Sequence, residues 1–483
     1  MASSVTFHTD DGKRGHIIAD PAALSCAKHR FSVKNPAAAM MKRKGKTLPS
    51  RLHSIDKLGR FDIGLYREIY DFLKGEGFQV TFTQEFEEAL KRGYSAYELS
   101  DELNFKLRDY QHEIVSRCLK HGWGTVKSAT GSGKSLCIAS LITNIKQRTV
   151  SKHGFCIVVV PGLTLSRQLS NDFKNYGVPF TYGTWTTSGL PKDVDVVICN
   201  TELLLSQFDD NKWVENIDLL IVDECHKCKA GSKLAKMLRR IKTPNRFGFT
   251  GTFPEKKYVD IWKIIGTFGP LLYEKASKEL RDDNTLTDVE VTMVKLQHAR
   301  GDKPEYSTHE DRTPTENYHI ELNYVYNHAQ RNEFIRALVS KSKGNSLVLV
   351  NHLEHIDIIE KDLRQIPHKR VYVVKGETEV DDRETTVAEL EASDDIVCLA
   401  MSSIFSEGVN VKNLHNIFFI AAGKSYIRIV QGIGRGLRLH PTKKLLRLFD
   451  IFDSYKYSND HANERKEIYN KEQIPWKEII VKI

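Results

Sequence analysis

Nine short apolar runs, rich in β-branched residues and separated by helical lengths of chain, constrain this 483-residue sequence more than any other feature. Residues 155–160, 194–199, 219–222 and 247–250 form one set; residues 346–350, 371–374, 396–400, 417–421 and 446–449 form a second. Strands that are apolar throughout must be covered on both faces, and crossovers long enough for a helix join them in parallel. The spacing therefore predicts an α/β chain with two doubly wound parallel sheets in tandem, over residues 96–285 and 286–483. Between the two sets, residues 299–318 are polar, contain Pro304 and Pro314, and read as a loop.

Residues 1–95 follow a different rhythm. Leu65, Ile69 and Leu73 fall at helical spacing, Gly75 to Gly77 stops that helix, and residues 78–82 alternate like a strand. This segment reads as a small basic α+β accessory domain, with the polar stretch 85–102 as its linker. Its first 60 residues hold twelve Lys/Arg against four Asp/Glu, almost all of the net charge of +9. A cationic segment carrying Phe31, Val33, Met40, Met41, Leu48 and Leu52 has too much apolar content for a disordered arm, and its charge fits a polyanion such as a phosphate backbone.

The remaining composition excludes several classes. No apolar run approaches the roughly 18–20 residues of a membrane span, and the N-terminus lacks a signal peptide's apolar core. Eight scattered cysteines make no disulfide framework; Cys156, Cys199 and Cys398 sit in strand-like runs as small hydrophobes. A reducing cytoplasm and a monomer are the expectations.

Three short segments carry chemistry. Residues 128–135, SATGSGKS, place Gly131 and Gly133 where a backbone must curl its N–H groups around an anion at a helix N-terminus. In such a loop, lined by Thr130, Gly131, Ser132 and Gly133, Lys134 reaches the terminal phosphates and the Ser135 hydroxyl holds Mg²⁺. The strict pattern wants glycine where this chain has Ser128. Asp223 and Glu224 end an apolar run at the strand edge where open sheets place ligands, and two carboxylates there divide the work. Asp223 is expected to orient Mg²⁺ and Glu224 to polarise the attacking water. Cys225 and Cys228 could be half of a zinc site, but no second close pair of ligands supports it. His226 is expected to face the terminal phosphate or the partner lobe. Residues 424–447 hold seven Lys/Arg and no acid, and Gln431, Arg435 and Arg438 fall at i, i+4 and i+7, one helix face. An arginine against a terminal phosphate is worth roughly 10³–10⁵ in rate.

Taken in order, these segments resemble the motif set of superfamily 2 helicases. Arg108, Tyr110 and Gln111 look like the adenine-reading motif and residues 129–135 like the phosphate loop. Pro161 to Thr164, residues 223–226 (DECH), Thr250 to Thr252, residues 402–410 and residues 431–438 resemble motifs Ia, II, III, V and VI. The resemblance implies two RecA-like lobes with ATP between them, Lys134, Asp223 and Glu224 on the first and Gln431, Arg435 and Arg438 on the second. It also implies a nucleotide contact at Gly408, coupling of hydrolysis to movement by Thr250 and Thr252, and nucleic-acid contacts at Pro161, Gly162, Thr201, Asn351, Lys375, Gly376, Ser402 and Ser403. A narrower likeness, carried by residues 408–415 and 431–438, is to the UvsW-type branch-migration helicases of tailed phages. That likeness implies forked or branched DNA as the substrate; a duplex translocase and an ATP-gated RNA clamp are the alternatives.

Overall fold

The computed structural model describes residues 4–483 apart from 36–37, 39–46, 95–98, 101, 147–153, 207–215, 255–257, 307–313, 376–379, 403–410 and 421–424. The chain divides into two compact units, Met1–Ser128 with Gly133–Glu274, and Ala129–Ser132 with Lys275–Ile483.

The first unit is built on a seven-stranded sheet ordered Leu271–Lys275, Gly124–Ser128, Arg246–Thr250, Ile217–Asp223, Phe155–Val160, Val196–Asn200, Tyr182–Thr184. The five ladders from Gly124–Ser128 to Tyr182–Thr184 are all parallel. Such a sheet is buried on both faces, and Val196–Asn200 and Arg246–Thr250 are buried at every position. The helix Lys134–Lys146, which leaves the glycine-containing loop after Ser128, is buried continuously from Leu136 to Ile145.

The N-terminal residues add a four-stranded sheet, ordered Arg60–Asp62, Arg14–Ala19, Ser4–His8, Gln79–Phe82. Its core is continuous with the neighbouring lobe: Val5, Phe7, Phe31, Phe61, Ile69 and Phe86 form one cluster with Trp123, Trp262 and Ile265. Phe31 lies against Trp262 with ring centroids 5.1 Å apart. Two glycines allow the backbones to approach. A Cβ on Gly64 would meet the Ile265 carbonyl at 2.1 Å, and one on Gly266 would meet the Asp62 Cβ at 2.8 Å. Asp62 then joins the two parts electrostatically, accepting from Lys263 Nζ at 2.6 Å and from Arg239 Nη2 at 3.0 Å.

Two expectations for this region are corrected. The helix expected from Leu65, Ile69 and Leu73 is preceded by a 3₁₀ turn, Ile63–Leu65, which takes in the first of these residues, and is α-helical over Tyr66–Gly75. The expected linker 85–102 contains the helix Gln84–Leu90, capped by the Thr83 hydroxyl and anchored by the fully buried Phe86. The anchoring aromatic is why a stretch of acidic composition folds.

The second unit carries a seven-stranded sheet ordered Arg370–Val374, Ile396–Met401, Ser346–Val350, Asn416–Phe419, Leu445–Asp453, Asp288–Gln297, Trp476–Lys482. All six ladders are parallel. Each unit thus carries a RecA-like sheet with flanking helices. The loop expected over 299–318 ends early, because Pro314 opens a helix, Pro314–Asn327. Proline fits the first helical turn, where its missing N–H has no partner to lose. Among the described residues, no helix is long and apolar enough to cross a membrane.

Candidate nucleotide-binding site

Strand Gly124–Ser128 runs into the phosphate loop, and helix Lys134–Lys146 leaves it. Gly131 and Gly133 have φ of +86° and +78°, left-handed conformations that a side chain would resist. Gly133 is also pressed from outside: a Cβ there would lie 2.5 Å from Gln111 Nε2. Gln111 is held in place because its Oε1 accepts the Arg108 N–H at 2.9 Å, while Arg108 Nη1 reaches the Tyr110 hydroxyl at 3.4 Å. Lys134 Nζ donates to the Ser128 carbonyl at 3.1 Å, and the Ser135 and Tyr176 hydroxyls are 2.9 Å apart. No sequence pattern pointed to Tyr176.

Asp223 closes strand Ile217–Asp223. Burial and the adjacent Glu224 charge push its carboxyl up to about 6, although Lys134 and His226 pull the other way. Glu224 stands at φ +51°, an uncommon conformation for a residue with a side chain. Its backbone N–H is tied to Asp223 Oδ1 at 2.9 Å. From Glu224 a buried polar chain runs onward. Glu224 Oε2 lies 3.1 Å from His226 Nδ1, which lies 3.0 Å from the Thr250 hydroxyl. That hydroxyl donates to the Thr252 carbonyl at 2.9 Å. His226, Thr250 and Thr252 are all buried.

This site suits a magnesium–phosphate group on its own terms. Two left-handed glycines open the cradle, the buried Ser128 and Thr130 hydroxyls have no hydrogen-bond partner among the described residues, and a crowded acidic pair faces one lysine. The Cys225–Cys228 pair does not suit zinc. Both thiols belong to the apolar core of the sheet and are fully buried, and Cys228 Sγ sits 3.9 Å from the Thr267 hydroxyl.

Pro161 and Gly162 precede helix Leu163–Tyr176, with Gly162 as its N-cap residue. Thr201 opens the next crossover helix, and its hydroxyl donates to the Val160 carbonyl at 3.2 Å, so the ends of two neighbouring strands are tied together.

In the second unit, Asn351 follows strand Ser346–Val350, and the Ser402 hydroxyl donates to the Val350 carbonyl at 3.0 Å. Lys375 Nζ is paired with Asp357 at 2.6 Å. Gly376, Ser403 and Gly408 lie outside the described residues, as does the Arg435 side chain. The expectation that Gln431, Arg435 and Arg438 share a helix face is corrected. The helix Tyr426–Gly436 carries Gln431 and Arg435, but Arg438 lies two residues past its end. The chain turns there because Thr287, entering the strand Asp288–Gln297, binds the Leu437 and Arg438 carbonyls at 2.6 and 3.1 Å. The glycines of this helix serve close packing: a Cβ on Gly436 would meet Leu446 at 2.7 Å, and one on Gly434 would meet Thr130 Cβ at 2.7 Å.

Two family descriptions match the chain: "Type III restriction enzyme, res subunit" over residues 104–255 and "Helicase conserved C-terminal domain" over residues 330–440. Among similar proteins, the ATP-dependent DNA helicase uvsW of Enterobacteria phage T4 is 25% identical over 369 residues, covering 74% of this chain and 70% of its own. The putative ATP-dependent helicase IRC3 of Saccharomyces cerevisiae is 24% identical over 371 residues, 71% of this chain and 51% of its own. Of solved structures, the type ISP restriction-modification enzyme LlaBIII bound to DNA aligns with a TM-score of 0.58 at 14% identity, over 86% of this chain and 36% of that one. The two family matches together take in more than half of the sequence, and they cover the phosphate loop, the acidic pair, the 250–252 turn and the arginine helix. The chain belongs to the superfamily 2 helicases, a family of nucleic-acid-dependent ATPases.

Proposed function

We propose that the chain is an ATP-driven DNA helicase that unwinds or branch-migrates forked and branched DNA. The observation that carries the motor reading is the buried chain Glu224, His226, Thr250, Thr252. It links the carboxylate expected beside the attacking water to a turn outside the phosphate site. A change in charge at Glu224 is then felt at His226 Nδ1, which is hydrogen-bonded to Thr250 of the 250–252 turn. The DNA preference rests on the likeness to the phage helicase, whose description names DNA.

In this reading the loop N–H groups and Lys134 hold the terminal phosphates, and Lys134 leaves the Ser128 carbonyl to do so. Ser135 and Asp223 would hold Mg²⁺, which supplies charge neutralisation of the phosphate oxygens. Glu224 orients water and accepts its proton. Arg435 and Arg438 neutralise the charge that develops on the transferred group, a task suited to the fixed guanidinium fork. Pro161, Gly162, Thr201, Asn351, Lys375, Gly376, Ser402 and Ser403 contact the nucleic-acid backbone, which carries no sequence information, so affinity falls steeply with salt. Gly408 contacts the nucleotide.

The test compares forked DNA, plain duplex and single-stranded RNA as ATPase stimulators, with strand displacement on forks and four-way junctions as the second readout. Displacement of branched strands with ATP supports the proposal. Duplex-stimulated hydrolysis with no displacement favours the second reading, a translocase on duplex DNA, which the restriction-subunit family match supports. Stimulation by RNA alone rejects both.

A further inference from the structure

Where strand Asp288–Gln297 ends in the second unit, three side chains bring their donor atoms together. His298 stands directly after strand Asp288–Gln297, Asp302 follows four residues later, and His328 caps helix Ala329–Lys341. His298 Nδ1 lies 3.2 Å from His328 Nε2 and 3.6 Å from Asp302 Oδ2, and those two atoms are 2.8 Å apart. A tetrahedral zinc ion with bonds of about 2.0–2.1 Å separates its ligands by about 3.3–3.4 Å. The three observed spacings bracket that value.

The surroundings prepare the same atoms. His298 Nε2 donates to Asp453 Oδ1 at 2.9 Å, and Asp453 is itself held by Arg331 Nε at 3.0 Å. A buried carboxylate on the far nitrogen fixes the imidazole tautomer, so that the Nδ1 lone pair faces inward and its basicity rises. The His298 ring is stacked on Tyr455 with centroids 4.4 Å apart, which holds its plane. Asp302 receives the Tyr324 hydroxyl on Oδ1, leaving Oδ2 toward the histidines. The Asp302 side chain is 26% exposed, against 2% for His298, so the cluster meets solvent on the Asp302 side. We propose that His298 Nδ1, His328 Nε2 and Asp302 Oδ2 bind one borderline divalent transition-metal ion, with Zn²⁺ as the natural occupant and water in the fourth position.

Two imidazoles and one carboxylate suit zinc, cobalt or nickel, not magnesium. The site is therefore chemically separate from the one that holds the nucleotide's cation. Three ligands on a strand end, a loop and a helix N-terminus make the bound ion a staple for the 298–328 connection. His328 Nδ1 accepts the Arg331 N–H at 3.3 Å, a long cap bond. On binding, the His328 proton moves from Nε2 to Nδ1 and this bond is given up.

The experiment uses the full chain, stripped with EDTA, dialysed and titrated with Co²⁺ in the presence of millimolar Mg²⁺. The expected result is one equivalent bound with visible absorption bands of a four-coordinate site, and a Tm that rises when Zn²⁺ is added. Asp302→Asn and His328→Asn remove one ligand each, and asparagine at 328 keeps a helix-capping oxygen. Each variant is expected to bind at least about tenfold more weakly and to lose the Tm response, while matching the stripped wild type in circular dichroism. Less than a tenth of an equivalent on the wild-type chain, or bands that survive both substitutions, overturns the site and leaves a hydrogen-bonded knot. The wild-type stoichiometry decides the matter even if a variant fails to fold.

Discussion

Replacing Asp62 with alanine probes the junction between the N-terminal sheet and the nucleotide-binding lobe. Asp62 and Lys263 are 17% and 12% exposed and 2.6 Å apart, whereas the second partner, Arg239, is 55% exposed. The exposed arginine contributes little, because water and salt screen it. The lysine cannot regain its hydration without opening the interface, and stranding one member of a buried pair costs about 3–5 kcal/mol. In a domain of this size each kcal/mol moves the melting midpoint by about 2–4 °C, so Asp62→Ala should lower it by roughly 6 °C or more. Urea unfolding followed by tryptophan emission is a suitable assay, because Trp123 and Trp262 lie in the shared core. The double variant Asp62→Ala/Lys263→Met should recover part of the loss. Burial alone would raise the Asp62 pKa, but Lys263 and Arg239 outweigh it and hold the carboxyl below its ordinary value. The stabilisation is therefore present above about pH 4, the unfolded value, and disappears as pH falls through the lower folded value. A single-variant loss under about 1 kcal/mol, or the same loss at pH 3 as at pH 7, would refute the reasoning.

Further outcomes follow from the nucleotide site. Lys134→Ala should abolish ATP turnover with circular dichroism unchanged; substantial nucleic-acid-stimulated hydrolysis in that variant counts against the assigned role. Thr250→Ala breaks the buried chain behind Glu224 and should reduce strand displacement at least about tenfold more than hydrolysis, as read by parallel ATPase and fork assays; equal losses would mean no coupling role. Because burial and Glu224 push Asp223 up to about 6, the Mg²⁺ concentration for half-maximal ATPase should rise as pH is lowered through that value. A flat dependence between pH 5.5 and 7.5 would show that the carboxylate stays ionised.

The sequence revealed the strands wherever apolar residues run unbroken. Residues 155–160 and 346–350 coincide with observed strands, and the other runs differ at their ends by a few residues. Strand Asp288–Gln297 escaped because it alternates, with Asp288, Glu290 and Lys295 interrupting the apolar run; its pattern looks half-solvated although it is an interior strand of the sheet. Gly124–Ser128 escaped because Thr125 and Lys127 break it, although four of its five residues are buried. The turn at Gly131 and Gly133 and the strand end at Asp223 were legible because glycines that accept positive φ, and an apolar run stopped by a carboxylate, are local signals. Arg438 was misplaced because a 3.6-residue period carries no mark of where a helix ends; the strand entry at Thr287 sets that, some 150 residues away. The join between the N-terminal sheet and the lobe was invisible for the same reason. Trp123 and Trp262 are distant in sequence from Phe31 and Phe61, and nothing in composition brings them together.

The helix Tyr258–Phe268 belongs to two interiors at once: one flank closes the N-terminal core through Trp262 and Ile265, and Ile264 and Phe268 fill the lobe's own core, while Tyr258 at its start is exposed. One helix is thus a common wall, and the small sheet cannot shift against its neighbour without disturbing both interiors.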